Sequence, residues 1–395
     1  MKVILINPPS PYLDDDAAYP PSGLLYTAAA IERDGHTASI LDFTGGVDWR
    51  SIVPTLDADL FGITCSTPNF PIVQDIVALL PPQIPIVVGG PHPTFLPNDT
   101  LDRISCSSVV VGESEDIVWK IIDDLESDGD LDSIYVGSNV ITSRIPKPAR
   151  HLVNLRKYRS VPVYTSRGCP FNCAFCSKVT GRTYRTLSID RVIEEVYDLI
   201  RAGVGSIVFG DDDIAIQPDR LKSILLALGG LRVDFRLNQD SRMIDEEVFA
   251  LAAKAGCTEI SFGIESGCQR ILNAMNKQLT VEQSERAIQL TKANGMKAKV
   301  YLIANFPGED EESITDTIEF IQRTQPDKVL VSNFAPLPGS DTFNHPDKYG
   351  IDWMSEDWGD YYLVGKGGDF GKCFTTPDLS VKRQVYLHNL LTEAI

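Results

Sequence analysis

Three cysteines share one eight-residue stretch, Cys169-Pro-Phe-Asn-Cys173-Ala-Phe-Cys176. Thiolates are soft ligands that suit zinc and iron–sulfur clusters. A structural zinc site takes four ligands, usually as two separated pairs. This loop offers three, with no partner pair and no histidine between them. Three thiolates can hold three irons of a [4Fe–4S] cubane and leave the fourth iron open to a chelating cosubstrate. The C-x-x-x-C-x-x-C spacing therefore predicts a site-differentiated cluster on Cys169, Cys173 and Cys176, with zinc as the alternative. The other cysteines are scattered along a chain with no secretory signal, so no disulfide framework is expected.

The loop has to be held by regular structure. An apolar strand over 161–165 leads into it, and a helix over about 189–201 follows, closed by Ala202-Gly203. The unit then repeats. Strand 206–209 ends in Asp211-Asp212-Asp213, strand 234–237 ends near Asn238, and strand 259–263 ends at Glu265. Strand 298–303 runs to Pro307-Gly308-Glu309, and strand 328–333 comes last. Thr280 and Gln283 form a capping box for one of the intervening helices. Some six β/α units of this kind predict a partial (β/α)6 barrel over 161–340, with its chemistry at the carboxyl ends of the strands.

Residues 1–130 carry a different alternation. Strands at 3–6, 38–43, 60–64, 84–88 and 108–111 are separated by helices, the pattern of a doubly wound parallel sheet. Ligands of such sheets sit off the strands' carboxyl ends. The loops concerned are 8–12, 65–69, 89–94 and 112–115. Residues 131–160, with Pro146 and Pro148, read as a linker with some strand at 133–142, and 341–395 as a C-terminal segment capping the barrel. The fold class is thus α/β, a doubly wound sheet followed by a partial barrel and a short tail.

The 395 residues suggest two domains, and 43% hydrophobic with 23% charged content is that of a globular enzyme. The net charge of −18 repels phosphate backbones, so nucleic acid is not an expected partner. One basic cluster, Arg144, Lys147, Arg150, Arg156, Lys157 and Arg159, falls in the linker. No apolar run reaches the ~18 residues of a membrane span. No membrane partner and a cytoplasmic location are expected.

The cysteine triad, with Phe175 before the third cysteine, resembles the motif of the radical S-adenosylmethionine (SAM) enzymes. The chain as a whole, over about 1–350, resembles the branch of that family with an N-terminal cobalamin-binding, Rossmann-like domain. The resemblance implies SAM and a [4Fe–4S] cluster in the barrel and cobalamin on the N-terminal domain. It also implies roles for further residues. Phe175 lies near adenine; Asp211 or Asp212 takes the methionine amino group; Asn238 and Arg242 contact the carboxylate or ribose; Glu265 and Ser266 form the ribose motif. On the N-terminal domain, Gly89-Gly90-Pro91-His92 and Gly112-Glu113 match the cobalamin-domain pattern, Pro9 sits in the first strand-end loop, and Ser66 and Thr67 are placed to bond the nucleotide tail. Glycine after a strand lets the backbone approach a bulky ligand. The D-x-H-x-x-G motif that supplies a histidine to cobalt is missing, so cobalamin without a protein histidine on cobalt is expected; His92 reads as a turn histidine.

The function implied is reductive cleavage of SAM to a 5′-deoxyadenosyl radical for cobalamin-dependent methylation of an unactivated carbon, or phosphorus, of a small molecule. A flavodoxin or ferredoxin would supply electrons. The alternative keeps the radical and drops methyl transfer, giving a cyclisation, rearrangement, dehydration or oxidation, with or without cobalamin.

Overall fold

The computed structural model describes residues 1–127, 130–231 and 233–395; Asp128 and Gly129, at the end of the expected first domain, lie outside them. The chain divides into two compact units. The first is Met1–Arg159 with Val179–Gly181 and Asp357–Tyr362, and the second is Ser160–Lys178, Arg182–Glu356 and Leu363–Ile395.

The first unit is built on six parallel strands: β1 (Lys2–Asn7), β2 (Thr37–Asp42), β3 (Leu60–Thr64), β4 (Ile86–Gly89), β5 (Ser108–Val111) and β6 (Ile134–Val136), in the order β2-β1-β3-β4-β5-β6. Val3–Ile6 of β1 are all buried, as a strand covered on both faces requires. Helix α1 (Ser22–Arg33) presents Leu24, Leu25 and Ala28–Ile31 to that core. The order reverses between β1 and β3, which opens a crevice at their carboxyl ends. Ser10, after β1, and Asn69, after β3, are hydrogen-bonded across it at 3.0 Å.

Two expectations need correcting here. The sheet has six strands rather than five, because Ile134-Tyr135-Val136 pairs with the open edge of β5 in the register Val109↔Ile134. Residues 131–159 therefore group with the first unit, and the strand expected within 133–142 is the three-residue β6. The basic cluster is partly spent on this unit's own acids, Lys157 on Asp42 at 3.2 Å and Arg159 on Asp15 at 2.5 Å.

The second unit carries β7 (Val161–Val163), β8 (Ile207–Phe209), β9 (Phe235–Gln239), β10 (Cys257–Glu265), β11 (Lys297–Ala304) and β12 (Lys328–Asn333). They are parallel and in sequential order, and among the described residues β7 and β12 are not paired with each other. This is the expected partial barrel. The Thr280–Gln283 capping box forms at the start of helix α2 (Val281–Ala293). Gly256 ends the helix Glu246–Ala255 with φ +104, and a Cβ there would meet the Val233 carbonyl at 2.7 Å, so glycine is required. The tail is shared: Asp357–Tyr362 belongs to the first unit, while helix α3 (Val381–Thr392) packs on the helix Glu311–Thr324 and on β11.

Candidate functional site

The cysteine loop leaves β7 through a two-residue ladder, Ser166–Arg167 against Arg185–Thr186, which closes the loop at its base. Gly168 takes φ +82 just before Cys169. Sequence-distant groups then fix the loop's path. Ala174 N–H donates to the Met275 carbonyl at 2.8 Å, and the Asn276 amide to the Asn172 carbonyl at 2.7 Å. Thr342 N–H donates to the Ala174 carbonyl at 3.1 Å, and Ser177 Oγ to the Pro338 carbonyl at 2.6 Å. Cys169 and Cys173 are buried and Cys176 is half-buried, as is Phe175. Three thiolates in one loop with no histidine between them suit a [4Fe–4S] cubane with an open iron better than a four-coordinate structural zinc.

Cations face this loop. Arg242 grips Asp240 with both Nε (2.8 Å) and Nη2 (2.6 Å), and its guanidinium lies 3.5 Å from the ring centre of Phe171, inside the cysteine loop. Its Nη1 is buried and has no partner among the described residues. Lys277 is almost fully buried, with Nζ 2.9 Å from Glu265 Oε1 and 3.3 Å from Asp240 Oδ2. Burial alone would lower this ammonium, but Glu265 and Asp240 outweigh it and hold Lys277 above its ordinary value; Cys173 adds to the effect. Burial likewise opposes the charge on Asp240, and the Arg242 fork and Lys277 prevail and hold it low. Lys277, Asp240 and the Met275–Asn276 clamp were not singled out in the sequence. Asp240 lies inside the Asn238–Arg242 strand end, while Lys277 lies near no motif and its one available signal was a lysine twelve residues after Glu265.

The acidic run after β8 splits into three roles. Asp211 is fully buried and accepts from Thr165 N–H (3.1 Å), Thr165 Oγ1 (2.8 Å) and Ser166 Oγ, tying β8 to β7; burial raises its carboxyl. Asp211, expected with Asp212 at the methionine amino group, thus has its oxygens engaged with the β7 strand end. Asp213 caps the next turn through Ala215 N–H at 3.0 Å, and burial pushes it up to about 6. Asp212 alone is exposed, and its charge is felt by Cys176.

Glu265 sits at a register irregularity of β10 with φ +71. A Cβ on Gly263 would lie 2.5 Å from Glu265 Oε1, so glycine there makes room for the carboxylate. Asn238 donates to the Phe209 carbonyl at 3.3 Å. Ser266 is buried and holds Cys268 N–H (3.1 Å) and Thr317 Oγ1 (3.2 Å), so it braces the turn.

On the first unit the candidates divide in the same way. His92 is fully buried between Phe70 (4.6 Å) and Trp358 (5.0 Å), with its ring nitrogens on Thr67 and Asp99, each at 3.3 Å. Burial brings it down to about 4, so it is a neutral core group with both nitrogens engaged. Gly90 and Gly112 take positive φ where neighbouring strand ends leave no room for a side chain. A Cβ on Gly90 would meet Cys65 N at 3.0 Å, and one on Gly112 the Gly137 carbonyl at 2.9 Å. Both let one strand end pass against its neighbour. Glu113 accepts from Val140 N–H at 2.9 Å. This leaves Pro9, Ser66 and Gly89 half-buried and Pro91 exposed at the ends of β1, β3 and β4. Small side chains at those three ends fit a flat macrocycle held by face contact and amide hydrogen bonds.

Comparison with known proteins follows the same two units. Residues 163–321 match the Radical SAM superfamily and residues 16–121 the B12 binding domain. An uncharacterized methyltransferase of Pyrococcus horikoshii is 31% identical over 376 residues, spanning 86% of this chain and 82% of the relative. An anaerobic magnesium-protoporphyrin IX monomethyl ester cyclase of Rubrivivax gelatinosus is 27% identical over 389 residues, spanning 87% of this chain and 69% of the relative. The solved structure of the radical SAM methyltransferase TsrM from Kitasatospora setae, with cobalamin and a [4Fe–4S] cluster bound, shares the fold. Its TM-score is 0.78 at 17% identity, over 100% of this chain and 89% of that one.

Proposed function

We infer the reaction from membership: the chain belongs to the radical SAM enzymes that carry a B12-binding domain. It is an enzyme whose cofactors are SAM, a [4Fe–4S] cluster and cobalamin. We propose that it methylates an unactivated carbon, or a phosphorus, of a small molecule. What carries this reading is the cysteine loop at a barrel strand end, flanked by buried cations, in a chain 31% identical to a methyltransferase. When bound, the cluster supplies the electron that splits SAM into a 5′-deoxyadenosyl radical, and cobalamin supplies the methyl group.

The chain's own residues bind and orient. Cys169, Cys173 and Cys176 hold three irons. Asp212, exposed beside Cys176, receives the methionine ammonium. Arg242, through its unpartnered Nη1, and Lys277 face the carboxylate, and Glu265 takes the ribose hydroxyls. Phe175 and Asn238 flank the adenosyl group. Pro9, Ser66, Gly89 and Pro91 line the cobalamin crevice. A flavodoxin or ferredoxin donor and a cytoplasmic location belong to the same proposal; no helix among the described residues is long and apolar enough to cross a membrane. The Rubrivivax relative, a cyclase, supports a second reading in which the substrate radical is cyclised or oxidised instead.

The test needs no known substrate. Anaerobically reconstituted protein is assayed for iron and cobalt, reduced with a low-potential chemical reductant such as titanium(III) citrate so that both the cluster and the corrinoid are supplied with electrons, and given SAM with a deuterated methyl group. Methyl transfer predicts label on the bound corrinoid with an equal amount of S-adenosylhomocysteine. Formation of 5′-deoxyadenosine with an unlabelled corrinoid favours the second reading. The Asp212 assignment is checked separately. Asp212→Asn should weaken SAM binding by roughly tenfold, the ~1.4 kcal/mol of one charge-assisted hydrogen bond. Asp211→Asn should lower Tm and leave the affinity of the folded fraction intact.

A further inference from the structure

The strands of the barrel unit alternate between two environments. In β10, Ile260, Phe262 and Ile264 are fully buried, and the Phe262 ring stacks on Phe249 of the helix Glu246–Ala255, with ring centres 6.5 Å apart. In β11, Ala298, Val300, Leu302 and Ala304 are equally buried. The helices cover this set, so the intervening residues point into the barrel. That inward set is not the branched apolar filling of a closed barrel. It holds Arg236 on β9, Glu259 on β10, and Lys299 and Tyr301 on β11, with Lys328 and Leu330 of β12 in register beside the last two.

Charge on this face does not balance. Glu259 is the one carboxylate of the set. Lys328 Nζ lies 2.5 Å from its Oε2 and Arg236 Nη1 3.9 Å from its Oε1. Arg236 Nε is buried and has no partner among the described residues. Lys299 pairs with no carboxylate among the described residues; its Nζ lies 4.6 Å from the centre of the Tyr301 ring. A ring face attracts a cation but cancels none of its charge. Three cations around one carboxylate make a local positive field in a chain of net charge −18. Leu330, beside Tyr301, keeps 37% of its surface exposed. Tyr301 is also in register with Gly263, whose Cβ position abuts Glu265 and Lys277, so this apolar surface lies between the cations and the cofactor end.

We propose that this inward face binds the substrate and that the substrate is a small amphipathic anion. A carboxylate or phosphate group is held by Lys299, Arg236 and Lys328, and an apolar body rests on Tyr301 and Leu330. The inference rests on the proposed function and names the substrate class within it. Ser261, the register partner of Lys299, is four residues from Glu265 along β10, roughly 13 Å of strand. A small molecule anchored at Lys299 therefore extends towards the strand end that carries Glu265.

The experiment is anaerobic isothermal titration calorimetry on protein loaded with cluster, cobalamin and SAM, without reductant, so that nothing turns over and Arg242 and Lys277 are already engaged. The probes are 3-phenylpropionate, 3-phenylpropyl phosphate and the neutral 3-phenylpropanol. Wild type should bind at least one anion about tenfold or more tightly than the alcohol, and the tighter anion identifies the group. Lys299→Met should bring that ratio below threefold. Lys299→Arg should keep it, as should Lys254→Met, at an exposed position of the helix Glu246–Ala255. A wild-type ratio below tenfold, or no binding of either anion, overturns the proposal, and so does a ratio above threefold in Lys299→Met. If that variant does not fold by circular dichroism, Lys299→Gln is read against the same limit. Wild-type protein that takes up no cluster would instead sink the proposed function, so the two failures are told apart.

Discussion

Cys173→Ala, purified and reconstituted anaerobically, should lose the [4Fe–4S] signal and produce no 5′-deoxyadenosine above background. Removing a residue that merely supports a metal ligand typically costs roughly 10–100-fold in affinity or activity; removing the ligand itself should exceed that. Cys173 is buried and lies near both Arg242 and Lys277, so the alanine variant also leaves those cations without the thiolate they face. Cys257→Ala is the matched control. Cys257 is equally buried, but its Sγ–H donates to the Glu259 carbonyl within β10, and it belongs to no cluster of thiols. It should keep its iron and its SAM cleavage. The measurements are iron per chain, the low-temperature resonance spectrum after dithionite, and chromatography of the nucleoside product. A Cys173→Ala protein with wild-type iron and spectrum would remove the basis of the assignment.

Lys277→Met should be the most destabilising single change in the barrel unit. The ammonium sits between Glu265 and Asp240 with only 5% of its surface exposed. Methionine fills the space and leaves two carboxylates facing each other, of which Arg242 offsets only Asp240. Breaking a buried ion pair by deleting one partner costs about 3–5 kcal/mol, because the remaining charge is stranded. For a unit of this size that lowers Tm by roughly 10 °C. Lys277→Met with Glu265→Gln removes the stranded charge along with its partner and should recover at least ~1 kcal/mol relative to additivity. Thermal unfolding of apoprotein followed by circular dichroism reads the effect with no cofactor present. Melting within 1 °C of wild type would show that the network is solvated and contributes little.

Much of this protein is decided by local pattern. The cysteine spacing states its own chemistry, since three soft ligands in one short loop suit a cubane with an open corner. The alternation of apolar strands with helices, one of them closed by Ala202-Gly203, is enough to give a parallel doubly wound sheet and a partial barrel. The Thr280–Gln283 cap is equally local. All of these depend on residues a few positions apart, and hydrogen bonding and side-chain periodicity act over that range.

What the fold alone decides is how distant residues are spent. Asp211, Asp212 and Asp213 are chemically alike and adjacent. Only the alignment of β8 with β7 brings Asp211 onto Thr165, 46 residues away, and leaves Asp212 outside. Gly90 and Gly112 suggested ligand contact, yet their Cβ space is taken by Cys65 and Gly137 of neighbouring strand ends. His92 could have met a metal, and burial beside Phe70 and Trp358 makes it a core residue. Lys277 carried no motif, and it becomes central because the turn after Ala274 folds against the cysteine loop. The residue type fixes what a side chain can do, but its partners are set by strand register and burial, which join groups the one-dimensional pattern keeps apart.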